Sequence, residues 1–140
     1  MRHVFPAALA LGLAVPAGAA TVAVQAGNWV RLFTRDIENV LGYAVHVDTA
    51  SIAPGGLGRS FREAEVMLAA HGGYPSGSTL TLQRSVDCAG SRAMTAAWQV
   101  TGPTGRALGT STTPGAVSRV AWESPDGKVL RYVCTGVLPR

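Results

Sequence analysis

The side chains able to exchange protons near neutral pH are few. His46 and His71 are the histidines that lie beyond the first few residues. His46 sits in the alternating stretch Tyr43 to Asp48, on the polar side, with Asp48 two residues on. On a strand the two would project from one face, as a general base and an orienting carboxylate do, or equally as solvent-facing neighbours. His71 precedes Gly72 and Gly73, where an imidazole ordinarily meets the end of an element. Glu63 and Glu65 form the nearest carboxylate pair. On a strand they share a face, and a solvated face is the expectation. No Gly-x-Ser-x-Gly elbow is present, and Gly127-Lys128 lacks the upstream glycine and following hydroxyl of a phosphate loop. Gly55-Gly56-Leu57-Gly58 has no strand–helix–strand context and reads as a plain loop. His, Cys and carboxylates do not cluster as metal ligands. The residues therefore point to a non-catalytic protein with no cofactor and no metal. Trp29, Trp98 and Trp122 could stack on a glycan or protein, but in a small domain they are expected in the core.

Cysteine chemistry is a separate matter. The chain of 140 residues has two cysteines, Cys88 and Cys134, without Cys-x-x-Cys spacing. Arg2 and His3, an apolar run from Val4 to Val15, and the small-residue exit Pro16 to Ala20 have the layout of a cleavable secretory signal, with cleavage after Ala19 or Ala20. Residues 1–20 are thus assigned to a signal peptide and 21–140 to a single exported domain, periplasmic, secreted or at the cell surface. In an oxidising compartment one cysteine pair reads as one structural disulfide. No later apolar run reaches bilayer length, and neither cleavage site leaves an N-terminal cysteine. Neither a membrane span nor a lipid anchor is expected. The formal charge is +4, but the arginines are scattered and Lys128 is the only lysine. Without a basic stripe, nucleic-acid binding is not indicated.

The elements that must position these groups follow from turns and periodicity. Pro54-Gly55-Gly56, Gly72 to Gly77, Gly102-Pro103-Thr104-Gly105, Pro114-Gly115 and Pro125-Asp126-Gly127 separate segments of strand length. Leu80, Leu82, Arg84 and Val86 alternate with Thr79, Thr81, Gln83 and Ser85. Met94, Ala96, Trp98 and Val100 alternate along the next strand, and Gly102 to Gly105 turns it back through Ala107 and Leu108. Ser124, Pro125 and Asp126 open a short helix whose buried face carries Val129, Leu130, Val133 and Cys134, with Gly136 at its end. Gly127 in its first turn argues against a helix, and a strand is the alternative. The segment from Ser60 to Gly72 is in conflict: Ser60 and Glu63 make a capping box and Ala64 to Ala70 favours a helix with Gly72 as its stop, whereas as a strand Arg62, Ala64, Val66 and Leu68 alternate less cleanly with Phe61, Glu63, Glu65 and Met67, so local propensity favours a helix.

The order of landmarks resembles the surface-adhesin protein E family of bacterial envelope proteins. It runs from Trp29 through Tyr43, Asp48, Ser51 and Ile52 to Arg84-Ser85-Val86-Asp87-Cys88 with Arg92. Trp122, Pro125 and Val133-Cys134 close it. The resemblance implies an α+β fold, mainly an antiparallel β-sheet, with a C-terminal helix packed on one face and tethered by a disulfide. It also implies a strand for residues 61–70, against their helix propensity. The function it implies is non-catalytic binding of extracellular-matrix and serum proteins. The chain is accordingly read as a binding module that holds a protein or glycan ligand on an exposed sheet face or edge, with Arg84 and Arg92, which flank Cys88, as candidate contact residues and a homodimer as one arrangement. The chain departs from a cell-anchored adhesin in having no cysteine to lipidate. The alternative is a soluble periplasmic accessory or structural domain that engages envelope proteins.

Overall fold

A computed structural model describes residues 26–140; the signal-peptide assignment lies outside the described residues. The chain forms β1 (Trp29–Arg31), α1 (Arg35–Leu41), β2 (Tyr43–Gly55), β3 (Gly58–Met67), β4 (Thr79–Asp87), β5 (Arg92–Thr101), β6 (Ala107–Ser111), β7 (Ser118–Arg119) and α2 (Pro125–Thr135). One antiparallel sheet is ordered β1-β2-β3-β4-β5-β6, with β7 also paired to β5. The sheet, the C-terminal helix and the Cys88–Cys134 disulfide agree with the expectation from alternation, caps and cysteines.

Register assigns side chains to two faces. Val45 pairs with Glu65 and Val47 with Glu63, and Phe61 pairs with Arg84. These residues share one face with Arg59, Leu82, Val86, Trp98 and Val100. The opposite face carries Ala44, His46, Asp48, Ala64, Arg62, Thr81 and Gln83. A bulge in β5 opposite Gln83 and Arg84 shifts the alternation, so Met94 falls opposite Ser85, away from Trp98. The even alternation expected from Met94 to Val100 is therefore interrupted.

Residues 58–67 form a strand despite their helix-favouring sequence. The capping pair is employed otherwise: the Ser60 hydroxyl donates to the Ala53 carbonyl and Glu63 turns into the interior toward Arg84. Two ladders, to β2 and β4, outweigh local propensity.

α2 lies on the face of Phe61 and Val86, where Val129, Leu130, Tyr132 and Val133 join Leu32, Phe33, Val45, Val47, Ala93 and Val120 in one core. The Ser124 hydroxyl accepts from the Gly127 amide and Pro125 occupies the first turn, as a capped start requires. At the other end the Arg59 guanidinium donates to the carbonyls of Val133 (2.9 Å) and Cys134 (3.2 Å). Arg59 thereby satisfies oxygens that have no partner within the helix. Cys134 bonds Cys88 across 6.0 Å between Cα atoms, closing a separation of 46 residues. By the chain-entropy argument a loop of this length destabilises the unfolded chain by about 4 kcal/mol.

Gly127 belongs in this helix for a steric reason. A Cβ there would overlap the Ala121 carbonyl oxygen and stand 2.7 Å from the Trp122 Cα. Helix propensity alone predicts that Gly127→Ala stabilises by about 1 kcal/mol. The close approach of backbone reverses the sign, and a loss of about 2–4 kcal/mol is expected in urea unfolding of the oxidised protein.

Candidate functional site

The helix covers only part of its sheet face. Arg84 marks where the cover ends: its Nη1 donates to Glu63 Oε2 and to Asp126 Oδ1, both at 2.7 Å, and its Nη2 to Asp126 Oδ2 at 3.1 Å. Asp126 comes from the first turn of α2 and Glu63 from β3, so one guanidinium ties the start of the helix to the sheet. Phe61 lies under the same guanidinium, 5.9 Å from ring centre to Arg84 Cζ.

Beyond this boundary the face is open. A cleft of about 250 Å³ is lined by Leu41, Tyr43, Glu65, Met67, His71 and Leu80 among others. An adjoining, more apolar depression of about 360 Å³ adds Tyr74, Leu82, Trp98 and Val100 while sharing Met67, His71 and Leu80. The β3–β4 connection forms one wall. His71 and Tyr74 bond backbone to backbone, and the Leu68 amide bonds the Gly42 carbonyl. Gly109 leaves room for Tyr74 and Trp98, since a Cβ there would lie 3.1 Å from the tyrosine oxygen and 3.3 Å from the indole.

The two glutamates define the electrostatics of this region. Glu63 is 1% exposed and Glu65 is half-buried at the cleft. Both were expected on a solvated face; their partners Val45 and Val47 in β2 and Leu80 and Leu82 in β4 instead make that face the interior one. Burial pushes both carboxyls above the usual range. At Glu63 the Arg84 guanidinium opposes that rise, whereas Glu65 meets a second carboxyl, Glu63, and is pushed up to about 8. Burial and mutual repulsion therefore favour retention of a proton by the pair, with Glu63 facing the cation and Glu65 facing the cleft. Burial works against the charge on Arg84, but Glu63 and Asp126 more than offset it and raise its pKa. Burial followed by the Glu65 and Glu63 charges also raises Tyr43.

The residues singled out from sequence are placed as follows. Cys88 and Cys134 are bonded. The Arg84 side chain is 10% exposed and engaged with Glu63 and Asp126, so it offers no free surface contact. Its alternation with Leu80, Leu82 and Val86 is the signal in the sequence that places it on the inner side. Arg92 is 57% exposed; its Nη2 donates to Asp87 Oδ2 at 3.1 Å, and the Gly90 amide donates to Asp87 Oδ1. It clips the turn that presents Cys88 and stands apart from the open cleft.

His46 and Asp48 form no dyad. Asp48 is buried and accepts from the Asn28 and Ala50 amides and from Arg62, whose Nε stands at 3.1 Å. Burial alone would raise its pKa, but these donors outweigh it and hold it below the usual range. Burial first, then Arg31, lowers His46, and its Nδ1 is buried without a hydrogen-bond partner. His71 is exposed at the rim of the cleft. The tryptophans separate: Trp122 packs on the core and donates to the Ser91 hydroxyl, Trp29 lies beneath Arg62, and Trp98 lines the open depression. Among the described residues no three His, Cys, Asp or Glu side chains are grouped to hold a metal. No described helix is long and apolar enough to cross a membrane.

The shared proton gives a pH dependence of defined sign. A carboxyl whose folded pKa exceeds its unfolded value stabilises below the unfolded pKa, and that contribution is lost as pH rises through the folded pKa. Stability is thus expected to fall as pH rises from about 5 to 8, to level off above that, and to fall less in Glu65→Gln. Urea titrations of both proteins across that window check this; equal slopes would contradict the placement of the proton. No protein-family model, curated protein or solved structure matches the chain.

Proposed function

We propose that the protein is a non-catalytic, exported binding module, similar in its landmarks to the surface-adhesin protein E family, that holds a partner protein on the open half of its sheet face. The observation that carries this reading is the incomplete cover. α2 is fixed over Phe61 and Val86 by Arg84 at one end and by Arg59 and the disulfide at the other. Met67, Leu80, Leu82 and Trp98 are thereby left lining a continuous depression. Apolar and aromatic side chains in a concave, rigidly framed surface are what a protein contact uses as its anchor. The disulfide and the secretory layout of residues 1–20 support a location outside the cytoplasm.

Protease shaving of intact cells, with immunodetection before and after permeabilising the outer membrane, tests the location on which an adhesin depends. Loss of signal on intact cells is expected. Protection until permeabilisation would overturn the adhesin reading in favour of a periplasmic accessory domain. Where binding to immobilised extracellular-matrix protein is found, Leu82→Arg is expected to weaken it at least about ten-fold, with the circular-dichroism spectrum unchanged. Arg92→Ala is expected to leave that binding intact, because Arg92 faces away from the depression.

A further inference from the structure

The floor of the open half carries a charge imbalance. Glu65 lines it, while Glu63 from β3 and Asp126 from α2, whose side chain is 60% exposed, lie at its edge around the Arg84 guanidinium, which is ion-paired to both. Its two terminal nitrogens are committed to those partners, and no ion pair joins Glu65 to a cation among the described residues. Tyr43 from β2 and His71 from the β3–β4 connection are the other titratable side chains around Glu65 in the cleft. Of the three carboxyls, Glu65 is the one that lines it.

An uncharged apolar occupant would bury Glu65 further without answering its charge, and an anionic one would add a fourth negative group. A cation complements the site. It takes the place of the proton that the glutamate pair otherwise holds, and that proton passes to solvent. The apolar lining begins directly beside this carboxyl, at Met67 and Leu80, and continues through Leu82 and Trp98. Together the two depressions fall in the range of about 300–1,000 Å³ that buries a compact group.

We infer that the open half of the sheet face receives a lysine or arginine side chain of a partner protein, its charge against Glu65 and its apolar neighbours along Met67, Leu80, Leu82 and Trp98. This deepens the binding-module reading and rests on it. The specificity is a matter of charge sign, since a buried carboxylate without a cation is costly whereas the same group paired in a cleft is favourable.

Octylammonium, octyl glucoside and octanoate provide cationic, neutral and anionic probes with one alkyl chain. Each is titrated into the 15N-labelled, oxidised exported protein at pH 6 and pH 9 and followed by amide and indole shifts. Octylammonium is expected to move the signals of Tyr43, Glu65, Met67, Leu80, Leu82 and Trp98. It should bind at least about ten-fold tighter than octyl glucoside at pH 9, with a smaller margin at pH 6 and none in Glu65→Gln. The wild-type pH comparison tests the charge independently of how that variant folds. Equal affinities of the ammonium and the glucoside at both pH values, or tightest binding of octanoate, would overturn the cation claim and leave the face as an apolar contact surface. Absence of shifts along this strip with all three probes would overturn the cation claim and the reading of this face as the binding surface together.

Discussion

The structure depends most on one buried arginine. Arg84 leaves the middle of β4 on the interior face, where a charge is tolerated only with partners, and finds one carboxylate on the neighbouring strand and one at the start of α2. Its ion pairs are geometric as well as energetic. Asp126 lies in the first turn of the helix, where a negative side chain also suits the helix dipole, so the guanidinium specifies where the helix begins over the sheet. Arg59 and the disulfide specify where it ends. With both ends defined, α2 spans the Phe61 and Val86 part of the face, and the part around Glu65, Leu80 and Trp98 stays uncovered. The boundary between core and open surface follows from the placement of charges.

A second buried carboxylate organises the opposite face. Asp48 gathers the Asn28 and Ala50 amides and the Arg62 guanidinium, while the Ser51 hydroxyl donates to the Asp48 carbonyl and accepts from the Arg62 amide. This occurs where the β2–β3 register shifts between Asp48 and Ala53, so Ser51 supplies an acceptor that the interrupted ladder lacks. Trp29 stacks on Arg62 at 5.4 Å and completes the arrangement. Trp29, Asp48, Ser51, Asp87, Arg92, Cys88 and Cys134, which mark the resemblance in sequence, thus act in the described structure as fasteners of turns, bulge and helix. They account for the fold. The residues lining the depression, apart from Tyr43, lie outside that set, and it is there that a partner would be chosen.

Much of the fold was legible before the structure. Alternation located β2, β4 and β5, the glycine–proline turns located their connections, and Ser124 with Pro125 and Gly136 bracketed α2. The strand expected at residues 61–70 follows only from the resemblance, because local propensity is helical and two flanking ladders override it; the strand observed runs from Gly58 to Met67 and leaves residues 68–70 in the connection to β4. α1 carries a weaker signal in the sequence: Thr34 before Asp36 and Glu38, Ile37 and Leu41 one turn apart, and Gly42, which takes the left-handed conformation that ends the helix, with φ of 83°. The candidate site was the least legible part. Alternation alone sets Arg84 with Leu80, Leu82 and Val86, but Glu63 and Glu65 join Val45 and Val47 on that face only once strand order and register are known, and a charged residue in an alternating segment reads by default as solvated. The β5 bulge likewise has no local mark and displaces Met94 from the face of Trp98.

The account makes Arg84 the determinant of where the helix starts, and amide hydrogen exchange of the oxidised wild type against Arg84→Met reports on that most directly. Removing the guanidinium leaves Glu63 buried beside Glu65 and Asp126 without its partner, while Arg59 and the disulfide still hold the far end of α2. The expected result is a large loss of protection confined to the first turns of α2 and the adjoining β3 amides, with protection near Cys134 retained. Unchanged protection at residues 127–130 would contradict the claim that this ion-pair bridge positions the helix and, with it, the open half of the sheet.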